Sequence, residues 1–164
     1  MKESKGLAIL DTDVASFMVK GLPLGAEYRR LTRDYDLQLS FATATELRVW
    51  ANRNRLGAHR QLYLDLFLVE CPVIPYCAGM ERLFAQVMEK RESIGRPLAF
   101  PDALTATTAL FHDVPLVTYD ADFVYTRGLR IITASAEVRA NQMLLDAVRA
   151  QPPMLPDMRS RCSF

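Results

Sequence analysis

The feature that most restricts the fold is a short apolar run, Leu7-Ala-Ile-Leu10, that ends abruptly at Asp11-Thr-Asp13. A run that is continuously apolar rather than alternating suits a strand buried on both faces, and such strands belong to parallel sheets covered by helices. Neighbouring parallel strands need long crossovers, so the remainder of the chain should alternate between helix and strand.

The pattern downstream has that alternation. Helices are expected at about 13–20 and 25–34, separated by the breaker cluster Gly21-Leu-Pro-Leu-Gly25, and Leu37-Gln-Leu-Ser-Phe41 reads as a second strand. A helical pattern from Ala42 to about Arg55 breaks at Gly57, and another runs to about Glu70. Cys71-Pro-Val-Ile-Pro-Tyr76 reads as a third strand, at an edge because of its two prolines. The stretch 79–94 places Met80, Leu83, Phe84, Val87, Met88 and Arg91 at helical spacing and stops at Gly95. An Ala-rich helix follows the turn-rich connector 95–101, starting at Asp102. Pro115–Thr118 and Leu129–Ile132 read as strands four and five, and 135–149 as a last helix. The expected class is α/β: a three-layer α/β/α sandwich around a central, mostly parallel, five-stranded sheet.

With 164 residues, half of them hydrophobic, the chain can bury one sizeable core, expected over residues 1–150. Residues 151–164 contain three prolines and little periodicity, which predicts a disordered tail. No run approaches the roughly 18 apolar residues of a membrane span, and Met1-Lys-Glu-Ser-Lys5 leads into no signal-peptide core, so a cytoplasmic protein with no membrane partner is expected. Cys71, Cys77 and Cys162 are odd in number and lack a C-x-x-C pair, which favours neither a disulfide framework nor a zinc site. His59 and His112 are isolated, no Ser-His-Asp arrangement is present, and no Gly-rich phosphate loop occurs.

Ligands of open α/β sheets bind beyond the carboxyl ends of the strands, and that rule singles out four acids. Asp11 ends strand one, and Asp120 follows strand four. Glu46 lies about one turn into the helix after strand two, and Asp102 opens the helix leading to strand four. Each has an ordinary alternative role in capping: Asp11 or Asp13 for the next helix, Thr43-x-x-Glu46 as a capping box, Pro101-Asp102 as a helix start, Asp120 or Asp122 for a short helix. Jointly, four carboxylates at one edge repel unless cations neutralise them, and such hard oxygen donors select Mg²⁺ or Mn²⁺. The chemistry implied is phosphodiester hydrolysis. The net charge is only +1, but setting those four of the nineteen acids aside leaves fifteen against twenty Lys and Arg. Arg48, Arg53, Arg55 and Arg60 cluster on one stretch, where they would either track phosphates or form a solvated helix face.

These residues resemble the PIN domain and, within it, the VapC-type toxins of bacterial type II toxin–antitoxin systems. The matching pieces are Ile9-Leu-Asp-Thr-Asp13, Ser40-Phe-Ala-Thr-Ala-Thr-Glu-Leu47, Gly95-Arg-Pro-Leu-Ala-Phe-Pro-Asp-Ala-Leu-Thr-Ala-Thr-Thr-Ala-Leu110 and Leu116-Val-Thr-Tyr-Asp-Ala-Asp-Phe123, spread in order over about residues 7–133. The resemblance implies a PIN-like five-stranded sandwich and an endoribonuclease that uses Mg²⁺ or Mn²⁺ and leaves a 5′-phosphate and a 3′-hydroxyl. Asp11, Glu46 and Asp102 would be metal ligands, Asp120 a fourth, and Asp122 an outer or alternative ligand. Thr118 would orient the cluster, with Asp13 a secondary polar contact. It also implies a homodimer, an RNA substrate, and a cognate VapB-like antitoxin that inserts a segment, often with a basic side chain, into the acidic site. Alternatives are a PIN nuclease acting in RNA processing or on DNA, a non-catalytic PIN-like binding module, and a haloacid-dehalogenase-like phosphohydrolase. The last is suggested by Ile9-Leu-Asp-Thr-Asp-Val14, but its required later lysine has only Lys90 to fill it.

Overall fold

A computed structural model describes residues 5–150. In chain order the elements are β1 (Gly6–Leu10), α1 (Thr12–Val19), α2 (Pro23–Leu31), β2 (Tyr35–Leu39), α3 (Phe41–Arg53), α4 (Ala58–Glu70), α5 (Met80–Ser93), α6 (Phe100–Phe111), β3 (Leu116–Val117), a 3-10 turn (Ala121–Tyr125), β4 (Ile131–Ile132) and α7 (Ala136–Ala150). The strands form one parallel sheet in the order β2-β1-β3-β4. The α/β class with helices packed about a parallel sheet is therefore as expected.

The sheet has four strands rather than five. The segment predicted as strand three reaches it only through a single bridge between Leu39 and Val73. There the Leu39 amide donates to the Pro72 carbonyl at 3.0 Å and the Ile74 amide to the Leu39 carbonyl at 2.9 Å. Pro72 has no amide hydrogen to carry the ladder back along β2, and on the other side β2 itself ends at Leu39, where the chain turns into α3. Strand two also sits two residues earlier than predicted, and Pro23, read as part of a breaker, instead opens α2 from its first turn, where its missing donor is no loss. The predicted tail, 151–164, lies outside the described residues.

The period-two alternation of β1 decides the layering. Ala8 and Leu10 face a cluster that includes Val14, Met18, Tyr28, Leu47, Leu64 and Phe67. Ile9 faces the opposite cluster, with Val87, Ala103, Ala106, Leu116 and Phe123. Ala103, Ala106 and Ala109 are fully buried at three-residue spacing, so α6 lies close on the sheet through its small side chains. Gly25 serves a comparable purpose between α1 and α2: a Cβ there would fall 2.5 Å from the Phe17 carbonyl oxygen, and only glycine permits that approach.

Because β1 has β2 on one side and β3 on the other, the chain turns outward in opposite directions from the carboxyl ends of β1 and β3. Asp11 follows the first of these ends and Thr118 the second, at the switch point where open α/β sheets hold their ligands. Among the described residues no helix is long and apolar enough to cross a membrane.

Candidate functional site

Asp11 is buried at the N-cap of α1. Its Oδ1 accepts from the Thr12 amide at 2.7 Å and its Oδ2 from the Thr118 hydroxyl at 2.8 Å, which fixes the carboxylate at both oxygens. The Thr118 hydroxyl in turn accepts from the Asp120 amide at 3.0 Å, and Asp120 Oδ1 accepts from the Asp122 amide at 2.8 Å, capping the 3-10 turn. One fully buried hydroxyl therefore joins the acid after β1 to the acid-bearing turn after β3.

Glu46 is reached differently. The helix start that Thr43 and Glu46 suggested lies three residues earlier: Ser40 is the N-cap of α3 and accepts from the Thr43 amide at 3.0 Å. Glu46 is thereby freed from capping, and its Oε2 accepts a short 2.5 Å hydrogen bond from the Thr12 hydroxyl. Asp102 lies in the first turn of α6, where the helix dipole favours an acid. Beneath, hydroxyls tie the helices to the sheet: Ser40 Oγ meets Thr105 Oγ1 at 2.8 Å, and Thr43 Oγ1 donates to the Leu10 carbonyl at 3.3 Å.

The acids sense one another. Burial pushes the Asp11 carboxyl up to about 7 against the lowering pull of its Thr118 and Thr12 hydrogen bonds, and the charges of Asp13 and Asp102 push it further. Burial likewise raises Asp102 to about 6, reinforced by the charges of Glu46, Asp120, Asp13 and Asp122 in that order. Asp13, though more exposed, is raised by desolvation and by Asp120, with Lys20 opposing. These mutual repulsions place Asp11, Asp13, Glu46, Asp102, Asp120 and Asp122 around one locality. Among the described residues no three of them form a ready-made cage for an ion. The donor set nevertheless suits Mg²⁺ or Mn²⁺: all its donors are oxygen, two carboxyls are destabilised as anions, and Mg²⁺ needs only one or two direct carboxylates because it keeps several waters.

The arginines are placed less favourably. Arg48 is committed to Asp65 of α4 at 2.5 Å, while Arg53 and Arg55 are exposed at the far end of α3 from its acid-bearing start. Lys90, the residue a dehalogenase-like enzyme would need, lines a cleft with Arg127 and Arg149 in which no acid takes part.

Four residues were given no positioning role by the sequence: Thr12, Ser40, Tyr28, and Arg91, which was read only as part of the helical face of 79–94. Thr12 and Ser40 had a signal, since each adjoins or caps a segment bearing a candidate acid. Tyr28 had none. It is fully buried, and its hydroxyl donates to the Thr118 carbonyl at 2.9 Å across ninety positions of sequence. Arg91, also buried, donates from Nη1 to the Asp122 carbonyl at 2.5 Å and from Nε to the Arg96 carbonyl at 2.6 Å, holding the acid-bearing turn from behind.

Comparison with known proteins agrees with this frame. The structure is similar to VapBC2 from Rickettsia felis bound to a promoter DNA fragment (TM-score 0.70, 19% identity, 77% of this chain and 98% of that one). It is similar to VapBC-1 from nontypeable Haemophilus influenzae (TM-score 0.67, 20% identity, 77% and 97%). It is also similar to VapBC-5 from Mycobacterium tuberculosis, a member of the VapBC family of toxin–antitoxin systems (TM-score 0.60, 20% identity, 80% and 99%). No curated protein matches the chain. A profile of the PIN domain matches residues 8–129, from the strand that carries Asp11 to beyond the turn that carries Asp120 and Asp122, and the chain belongs to the PIN domain family.

Proposed function

We propose that this protein is a metal-dependent endoribonuclease, the VapC-like toxin of a type II toxin–antitoxin system, in which Asp11, Glu46, Asp102 and Asp120 hold Mg²⁺ or Mn²⁺ with Asp122 as an outer or alternative ligand. The observation that carries the reading is the buried Asp11 carboxylate, clamped at both oxygens yet pushed up to about 7. A structural cap gains nothing from such destabilisation, whereas a ligand that becomes stable only with its cation does. When bound, the ion would supply Lewis acidity toward a phosphate oxygen and acidify a nearby water.

The chain's own residues would do the positioning. Thr118 fixes Asp11 Oδ2, Thr12 fixes the Glu46 rotamer, and the Asp120 cap holds Asp122 at the mouth of the site. Asp13 would contribute negative charge at the rim. Arg53 and Arg55 are the exposed cations of the α3 side available to a strand, whereas Arg48 would first have to leave Asp65.

The same reading includes a homodimer and an antitoxin. Phe41, Tyr76 and Phe100 are each more than 60% exposed around an apolar groove between the starts of α3, α5 and α6, which suits a second copy of the chain. The antitoxin would place a basic side chain among the acids, neutralising the cluster in the ion's stead. The test is cleavage of single-stranded RNA by purified protein with Mg²⁺ or Mn²⁺, with and without chelator. Cleavage that survives both chelation and Asp11→Asn would overturn the mechanism, and cleavage of DNA in preference to RNA would shift it to the DNA-directed alternative.

A further inference from the structure

Behind the acid-bearing turn lies a cleft of about 400 Å³ between α5, the end of α6, the segment Tyr125–Arg127 and α7. Its charged lining is Lys90, Arg91, Arg127 and Arg149, with no acid among the lining residues. In a chain whose net charge is +1, four cations on one wall are a strong local imbalance. Glu89 and Glu92 adjoin Lys90 on α5 but do not line the cleft, and Asp146 meets Arg149 only at 3.9 Å. Among the described residues Lys90 and Arg127 have no ion pair.

Arg91 supplies the second observation. It is only 2% exposed, its hydrogen bonds all go to neutral oxygens (Arg96 O, Asp122 O and Thr126 Oγ1), and its Nη2 has no partner among the described residues. A buried guanidinium with neither a carboxylate in contact nor a full set of acceptors is costly unless an anion comes near. Arg91 also touches the carbonyl of Asp122, so the cleft and the acids lie on opposite sides of one short turn.

Resting on the nuclease reading above, we propose that this cleft binds a backbone phosphate of the RNA strand that reaches the acids. Lys90 and Arg127 supply mobile cations at the rim, Arg91 supplies fixed positive charge at the floor, and the cleft sets how the strand runs across the acids without reading its bases. The path differs from one along the α3 arginines.

The test is fluorescence anisotropy of a labelled single-stranded RNA oligonucleotide over a salt series, using protein that also carries Asp11→Asn so that nothing is cleaved. The K90Q/R127Q pair is compared with the equally charge-reduced K5Q/R33Q pair, both checked for unchanged melting. The expected result is a several-fold weaker Kd for K90Q/R127Q alone, uniform across oligonucleotide sequences, with a log–log salt slope shallower by about 0.7 for each phosphate that is no longer neutralised. Equal weakening in the two pairs, or none in either, overturns the proposal. Absence of cleavage by the unmutated protein would count against the nuclease reading without touching this measurement.

Discussion

The two sides of the Ala121–Tyr125 turn are opposite in charge, and each is only partly neutralised, by Arg96 at Asp122 and by Asp146 at Arg149. On one side the charges of Asp13, Glu46, Asp102, Asp120 and Asp122 add to burial in raising Asp11, Asp13 and Asp102, with only Lys20 and the Arg96 contact to Asp122 at 3.7 Å opposing them. On the other side Lys90, Arg91, Arg127 and Arg149 share a cleft that no acid lines. A protein selected for stability alone would interleave those charges, because pairs in contact offset desolvation that isolated like charges do not. In the proposed reading each side is completed by a counter-ion from outside: a metal cation for the acids, a phosphate for the bases.

The largest expected effect on this comparison comes from Asp11→Asn. Cleavage should fall to background, and at pH 8 without metal the variant should melt higher than the parent because the repelled anion is gone. A lower melting temperature would mean that Asp11 is a structural cap and that the acid side is not strained. Next is Thr118→Val, which removes the hydroxyl shared by Asp11 Oδ2 and the Asp120 amide. Mn²⁺ affinity measured by calorimetry should drop by about 10–100-fold, the usual effect of losing a group that orients a ligand.

Tyr28→Phe should act on stability, leaving the buried Thr118 carbonyl without its donor at a cost of about 1–3 kcal/mol, or roughly 2–12 °C in Tm. The pH dependence is a further test. Asp11 and Asp102 bind protons more tightly folded, at about 7 and about 6, than at their ordinary value of 3.8, so their contribution is fully present below pH 4 and is lost as pH rises through 6 and 7. Metal-free protein should therefore lose melting temperature between pH 5 and 8 from these groups, and millimolar Mn²⁺ should restore it at the upper end. A metal-free profile that rises through that range would contradict the picture of uncompensated acids. Smallest is Arg48→Ala, whose half-exposed pair with Asp65 is worth at most about 1 kcal/mol and whose loss should leave RNA affinity nearly unchanged.

The sequence by itself determined the alternation of elements, and with it the class of fold. The unbroken Leu7–Leu10 run requires burial on both faces, and the spacing of Ala103, Ala106 and Ala109 requires a thin helix beside it, so periodicity alone carries that much. It also carried the positions of the candidate acids relative to strand ends. Local signals misplaced what depends on neighbours. Cys71–Tyr76 has the composition of a strand, but with Leu39 as its partner Pro72 lacks the donor needed on one side and β2 has ended on the other, so a single bridge remains. Thr43 and Glu46 have capping-box spacing, but Ser40 takes the cap and Glu46 turns to Thr12.

Only the tertiary structure decided which groups hold the acids in place and where the opposing charge gathers. Tyr28 and Thr118, Thr118 and Asp11, and Arg91 and Asp122 are joined by hydrogen bonds between residues 31 to 107 positions apart. No period or local motif encodes such pairs, because they form through crossovers that bring separate strand ends to one edge. The desolvation that raises Asp11 is likewise a property of the packed layers, absent from any stretch of chain taken alone.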